Sequence, residues 1–345
     1  MDRGWGSSFQ VAAVYVGTVV GAGFATGREI VEFFTKYGFI GIIGIAIAGC
    51  FFIWIGTKMM IVSKRINATS YQDLNIFLFG RSIGKVVNLL MLIVLIGVTS
   101  VMLSGAGAIF EEQLQLSKQV GVIITVLLTL FVMAFGVQGL LSVNVIVVPM
   151  LILFSLIVAF QSIGEHTVIT TVTDEFGVIN WIVSALSYAG FNLTMAAAVL
   201  VPLATEMKDE KVLKRGGILG GILLTVILIG SHISLATLAD VSTYDVPMAE
   251  LMRITFFSFF FIYVLVIYGE VFTSVIGNLF GLEKQILQIV HLPRMIVIAC
   301  ILVIAIIISQ FGYSSLLSIL YPLFGKVSLI VLALLIIKRI PKQQL

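Results

Sequence analysis

The sequence is short of charge. Asp, Glu, Lys and Arg make up only 11% of its 345 residues, where a soluble domain carries roughly a quarter. That leaves no room for a sizeable water-soluble domain, and no nucleic-acid partner is expected. Cysteine is nearly absent too: Cys50 and Cys300 each sit inside an apolar run, as packing residues that say nothing about redox compartment. Of the three histidines, His166 and His291 fall in or beside loops and His232 stands alone in an apolar run. No metal-ligand spacing, phosphate loop or nucleophile motif appears, so neither enzyme chemistry nor an organic cofactor is expected. Nor does the Gly-rich first apolar run offer a cleavable-signal pattern.

What is present is hydrocarbon. Hydrophobic residues make up 60% of the chain and the mean hydropathy is +1.17. Apolar runs fall at about 8–36, 38–63, 83–110, 118–136, 139–163, 178–205, 216–239, 254–280, 294–310 and 313–337, each read as a crossing of the bilayer core. The tightest junctions are Gly136, Gln138 and Gly139, and Phe311-Gly312. The expected fold class is therefore an all-α polytopic membrane protein with about ten transmembrane helices.

Orientation follows from the Lys/Arg bias of the short loops. Lys64, Arg65, Arg81, Lys85, Lys208, Lys211, Lys214, Arg215, Lys284, Arg294, Lys338, Arg339 and Lys342 gather on one side. Glu111, Glu112, Glu165, Asp174, Glu175, Asp240, Asp245 and Glu250 gather on the other, and the acidic loop 164–177 and the segment 240–250 are most simply solvated faces. Both termini are thus expected in the cytoplasm. Ten spans divide into five-helix sets at 1–163 and 178–338, with an extracellular loop at 164–177 and a cytoplasmic tail at 339–345, all one transmembrane domain. Because five is odd, the second set crosses in the opposite sense, as an inverted repeat requires.

The first span reads Gly17-Thr18-Val19-Val20-Gly21-Ala22-Gly23-Phe24-Ala25-Thr26-Gly27, then Arg28-Glu29. Each glycine costs a helix roughly 1 kcal/mol relative to alanine. Unwound backbone is tolerated at membrane depth only where it lines a cavity or is buried in protein. Close packing through small residues is the plainer alternative. A helix restarting near Phe24 would turn free N–H groups toward an anion such as a carboxylate. In the sixth span, Ser187, Gly190 and Asn192 mirror this break, with Tyr188 and Phe191 as side chains covering a solute. Carbonyls ending the outer half-helix there would suit an ammonium group.

The run Gly17–Phe34 resembles the first helix of the amino acid–polyamine–organocation superfamily, whose members share the LeuT fold. It resembles most the YkvI-like branch of bacterial membrane proteins. The resemblance implies a 5+5 inverted repeat with helices 1 and 6 interrupted, in a bacterial cytoplasmic membrane. It implies a cation-coupled secondary transporter of a small zwitterionic or cationic solute, with no obligate protein partner evident. The substrate carboxylate would be held by the backbone of Gly21, Ala22, Gly23, Phe24 and Ala25. Arg28 would belong to an outer gate, although a solvated helix end explains Arg28 and Glu29 as simply. A ligand-sensing receptor on the same fold, like the spore-germinant permeases, would use the same break without net transport.

In the eighth span Glu270, Thr273, Ser274 and Asn278 share one face. A carboxylate at mid-depth costs at least ~2.5 kcal/mol and normally faces a partner or a wet cavity. Back-bonding of the two hydroxyls to their own helix is the plainer reading of Thr273 and Ser274. The resemblance implies a sodium (Na+) site joining the carbonyls of Gly17 and Val20 to the hydroxyls of Thr273 and Ser274, with the Glu270 carbonyl as a third. The Glu270 carboxylate departs from the family pattern, so the ion is either sodium with an added ligand or a proton. A second family sodium site needs Asn where Phe24 stands and is expected to be absent. Lys326, at similar depth in the tenth span, is a candidate ion-pair partner for Glu270.

Overall fold

The computed structural model describes residues 3–134, 149–150, 153–154, 156–158, 160, 178–207, 209–287 and 290–341. The turn at 136–139, most of the fifth span and the loop 164–177 lie outside the described residues. All regular structure among the described residues is helical. The first span comprises Arg3–Val19, Ala22–Ala25 and Arg28–Phe33. At the expected spans two to four stand Ile40–Arg65, Arg81–Gln113 and the shorter apolar helix Lys118–Ala134. At the expected spans six to ten stand Val178–Glu206, Glu210–Leu235, Phe260–Leu287, the shorter apolar helix Arg294–Ser309 and Tyr313–Ile337. Two short helices, Tyr71–Phe79 and Pro247–Thr255, cover opposite ends of the bundle. Pro247 opens the second of these, where its missing N–H costs nothing. Ser70 and Asp73 form a reciprocal capping box at the start of the first.

The first span packs against spans six and seven, span six against span ten, and span eight against span three and the Ala22–Ala25 turn. Two glycine pairs in the seventh span allow this closeness, a feature unread in the sequence. A Cβ on Gly216 or Gly220 would strike Val11 or Tyr15 of the first span. A Cβ on Gly217 or Gly221 would strike Thr57 or Ile53 of the second. Without a hydrophobic drive between helices in lipid, such close backbone approach supplies the van der Waals contact that holds them. A π-turn at Phe52–Gly56 interrupts the regular ladder of the second span, and the Tyr15 hydroxyl donates to the Phe52 carbonyl at 2.9 Å. Outside the bundle, Leu127, Phe131, Leu265 and Ile319 are exposed, apolar surface that only lipid would cover.

The first span is interrupted as expected, and twice: at Gly21, in extended backbone, and at Gly27, whose φ is +82°. The expected interruption of the sixth span is not found. It runs as one helix from Val178 to Glu206, straight through Ser187–Asn192. Gly190 instead meets the Ser328 carbonyl of the tenth span, 3.4 Å from where its Cβ would be. A Cβ there would make ordinary contact, and the helix passes through Gly190 unbroken.

Gly221→Ala is expected to lower the thermal unfolding midpoint in detergent, because its Cβ would sit 2.7 Å from the backbone nitrogen of Ile53. Overpacking of this kind costs about 1–3 kcal/mol. Gly277→Ala, with nothing within 4 Å of the added carbon, should leave the midpoint unchanged or raise it, since alanine is the better helix former. Equal midpoints for the two variants, followed by tryptophan fluorescence, would contradict this account of the seventh span.

Candidate functional site at the break of the first span

At the break, the Gly21 N–H turns to the Val19 carbonyl at 2.9 Å. It thereby leaves the Gly17 carbonyl, its helical partner four residues back. One turn follows, Ala22–Ala25, all four residues buried. The Ala22 N–H donates to the Ser274 hydroxyl of the eighth span at 3.3 Å. Of the donors expected to hold a solute carboxylate, this one is already engaged within the protein. Thr26 closes the turn by donating to the Gly23 carbonyl and sharing a 2.7 Å hydrogen bond with the Tyr313 hydroxyl.

Glu29 proves to be part of this site. It is only 4% exposed, and its Oε1 accepts from Asn192 Nδ2 at 3.0 Å. Its Oε2 lies over Gly23, where any Cβ would collide with it and press on the Tyr321 ring at 3.3 Å. Asn192 also donates to the Tyr188 carbonyl, which fixes its amide. Phe191 packs on Tyr321 with ring centroids 4.7 Å apart, and Tyr188 sits among Phe33, Phe34 and Phe52. Three of the five residues expected from the sixth span, Tyr188, Phe191 and Asn192, are thus gathered around the first. Ser187 and Gly190 are not: they pack against Gly325 and Ser328 of the tenth span. The solvated-end reading of Arg28 and Glu29 fails, since both are buried. In sequence their opposite charges imitate a helix terminus, but Gly27 turns the chain so that Glu29 faces inward.

Against the other flank of the turn stands the polar face of the eighth span. Glu270 is 3% exposed, and its Oε2 is buried with no hydrogen-bond partner. The Thr273 hydroxyl donates to the Glu270 main-chain oxygen at 3.0 Å, so that carbonyl serves its own helix. Ser274, not Thr273, bonds to the break. Val20 is buried and Gly17 half-buried at the end of the first helical segment. An orphaned buried carboxylate oxygen one turn from a hydroxyl at an unwound backbone is a donor set that fits a small hard cation or a proton. Lys326 does not supply the counter-charge. It is exposed on the outer face of the tenth span, and the ion pairs among the described residues are Lys36–Glu32, Arg65–Glu210, Arg253–Glu250 and Arg294–Glu283. Equal depth in sequence said nothing about which way each helix face turns.

At the end that the charge bias assigns to the exterior, hydrogen bonds tie the helix ends together. Arg28 Nη1 donates to the carbonyls of Ser242 and Tyr244 at 2.6 and 3.2 Å. Glu112 accepts from the backbone N–H groups of Asp245 and Val246. Asp245 binds Ser314, and the Met248 N–H meets the Thr26 carbonyl. Both acids are structural clamps, and Asp245 is thus not part of the solvated face expected of the segment 240–250. At the other end Arg65 binds Glu210 through two hydrogen bonds and reaches the Pro341 carbonyl.

No family model matches the sequence. Among solved structures, the chain is similar to the manganese transporter of Eremococcus coleocola. The two share 15% identity, with 96% of this chain and 78% of that one covered at a TM-score of 0.54. It is similar also to Mhp1, a nucleobase-cation-symport-1 family transporter, in a closed conformation with bromovinylhydantoin bound. There the identity is 9%, the coverage 88% and 73%, and the TM-score 0.52. The class so defined is an all-α membrane protein with a LeuT-like fold. By sequence the chain is 52% identical to the uncharacterized membrane protein YkvI of Bacillus subtilis, over 100% of this chain and 99% of that protein. It is 25% identical to the uncharacterized protein YyaD of the same organism, over 96% and 97%. The chain belongs to the YkvI family of membrane proteins.

The two glycines of the turn should behave differently on substitution. Gly21 has an extended conformation open to any residue, and its Cβ would meet only Ser274 Oγ, at 3.7 Å. Gly23 has no such space. Gly21→Ala is expected to fold with a native unfolding midpoint, while Gly23→Ala loses about 1–3 kcal/mol through displacement of Glu29. Equal midpoints in detergent would show that Glu29 does not lie over Gly23.

Proposed function

We propose that this protein is a secondary active transporter of a small amino-acid-like or amine solute, coupled to a cation, working by alternating access around the break of the first span. The observation that carries the reading is the meeting of that break with the eighth span, where the Ala22 N–H bonds to Ser274 one turn from the unpartnered Glu270. Backbone unwound at membrane depth and a buried carboxylate without a counter-charge are both costly. Both costs are offset if ions and solute visit the site. The likeness of fold to two transporters supports transport over catalysis. The residues of the coupling site are Gly17, Val20, Glu270, Thr273 and Ser274. Sodium is the favoured ion, with Glu270 as an added ligand, and a proton carried by Glu270 is the competing choice. Membership of the amino acid–polyamine–organocation superfamily, a place in the bacterial cytoplasmic membrane and cytoplasmic termini complete the proposal.

The test is counterflow in proteoliposomes with a labelled mixture of amino acids and amines, driven in turn by a sodium gradient and a pH gradient. Sodium-driven uptake is expected. Ser274→Ala and Glu270→Gln should each weaken the apparent sodium affinity about tenfold or more, since a hydrogen bond or ligand contact to a charged group is worth ~1.5–3 kcal/mol. Uptake driven by pH alone and abolished in Glu270→Gln would assign the proton instead. Saturable binding without counterflow under either gradient would identify a ligand sensor on this fold.

A further inference from the structure

We infer that the solute is a small organic cation, a protonated amine without a carboxylate, and that Glu29 is the residue that recognises its ammonium group. The inference rests on the transport site proposed above and concerns what that site accepts.

The argument begins with charge. The centre of the molecule buries two carboxylates, Glu29 and Glu270, and neither belongs to any ion pair among the described residues. Arg28, the buried cation next to Glu29 in sequence, forms no ion pair with it: Nη1 donates to the Ser242 and Tyr244 carbonyls, and Nε is buried without a hydrogen-bond partner. The His232 ring is bonded to Thr35. A buried charge in a membrane protein needs a partner or an ion path, and each carboxylate is served by one cation. Glu270 stands with Ser274 at the coupling site. Glu29 stands on the sixth-span side of the turn, with the aromatic residues, and its partner is the solute.

Geometry supports the same assignment. Asn192 holds Oε1 of Glu29, which fixes the plane of the carboxylate and leaves Oε2 over the Gly23 backbone. The Tyr321 ring borders the same space over Gly23 as Oε2, and Asn192 bridges Glu29 to the Tyr188 carbonyl. The Tyr188 hydroxyl is fully buried and has no hydrogen-bond partner. Aromatic faces beside a fixed carboxylate suit an alkylammonium, which gains both a charge-assisted hydrogen bond and a cation–π contact. A solute carboxylate fits poorly, because it would approach Glu29 with no cation between them, and the Ala22 N–H is already donated to Ser274. A divalent metal also fits poorly. Calcium and magnesium call for six or more ligands and zinc for four, while among the described residues no three His, Cys, Asp or Glu side chains come together.

Matched pairs that differ only by the carboxylate provide the test: putrescine and ornithine, histamine and histidine, isoamylamine and leucine, phenethylamine and phenylalanine. Each is titrated, with manganese chloride as a further probe, against the full-length protein in detergent at constant sodium. Thermal shift and calorimetry are the readouts. At least one amine is expected to bind tenfold or more tightly than its amino acid. Glu29→Gln, which can keep the hydrogen bond from Asn192, should weaken that amine a hundredfold or more while leaving the ligand-free midpoint near native. Glu29→Asp should weaken it less and keep the order of preference. The assignment is overturned if the amino acid of each pair binds as well as the amine. It is overturned equally if no amine binds, if Glu29→Gln binds the amine like the native chain, or if manganese alone binds and depends on Glu29. Amine binding that depends on Glu29 without counterflow would defeat the transport reading and leave this one standing. Counterflow of amino acids that excludes amines would do the reverse.

Discussion

Everything at the centre of this protein depends on one satisfied backbone group. Where the first span unwinds, the N–H of Ala22 finds Ser274 on the eighth span. Water is not at hand in the bilayer core to take such a donor, and leaving it bare would cost several kcal/mol. The contact therefore makes the break tolerable, and it joins the first span to the eighth. The same hydroxyl stands one turn from Glu270, so the backbone that is unwound and the carboxylate that lacks a partner share one neighbourhood. A ligand entering there would act on both.

The two buried carboxylates divide the site. Glu29 is held by Asn192 from the sixth span and covered by aromatic rings, while Glu270 projects from the eighth with one oxygen unpaired. Between them runs the single turn Ala22–Ala25, too short to be stable as a free helix and kept in place by Thr26, Tyr313 and Ser274. Charge on either flank acts on that turn. On the function proposed, coupling of solute to ion would need no long pathway, because one small element lies against both carboxylates.

Around this centre the packing is tight where helices must touch and clamped where the exterior must be sealed. The glycine pairs of the seventh span bring spans one and two within backbone distance. Arg28, Glu112 and Asp245 tie the segment 242–248 to spans one, three and ten. These clamps use charge-assisted hydrogen bonds to main-chain groups, which a modest rearrangement can release and remake. That is a suitable property for a gate.

Sequence alone determined the class, the order of the described helices and the first break, because these rest on quantities counted along the chain: hydrophobic length and four glycines in eleven residues. Even the polar face of the eighth span was legible, since residues three and four apart must share a helix face. What it could not determine was how each helix is rotated about its axis and which neighbour it meets. Gly190 looked like a second break, yet it touches the Ser328 carbonyl of another helix. Lys326 matched Glu270 in depth, yet it faces outward. Glu29 looked like a solvated helix end, yet Gly27 turns it toward Asn192, a residue 163 positions away. Only the tertiary structure decided these three, because a glycine, a lysine and a glutamate acquire their roles from the surfaces they face.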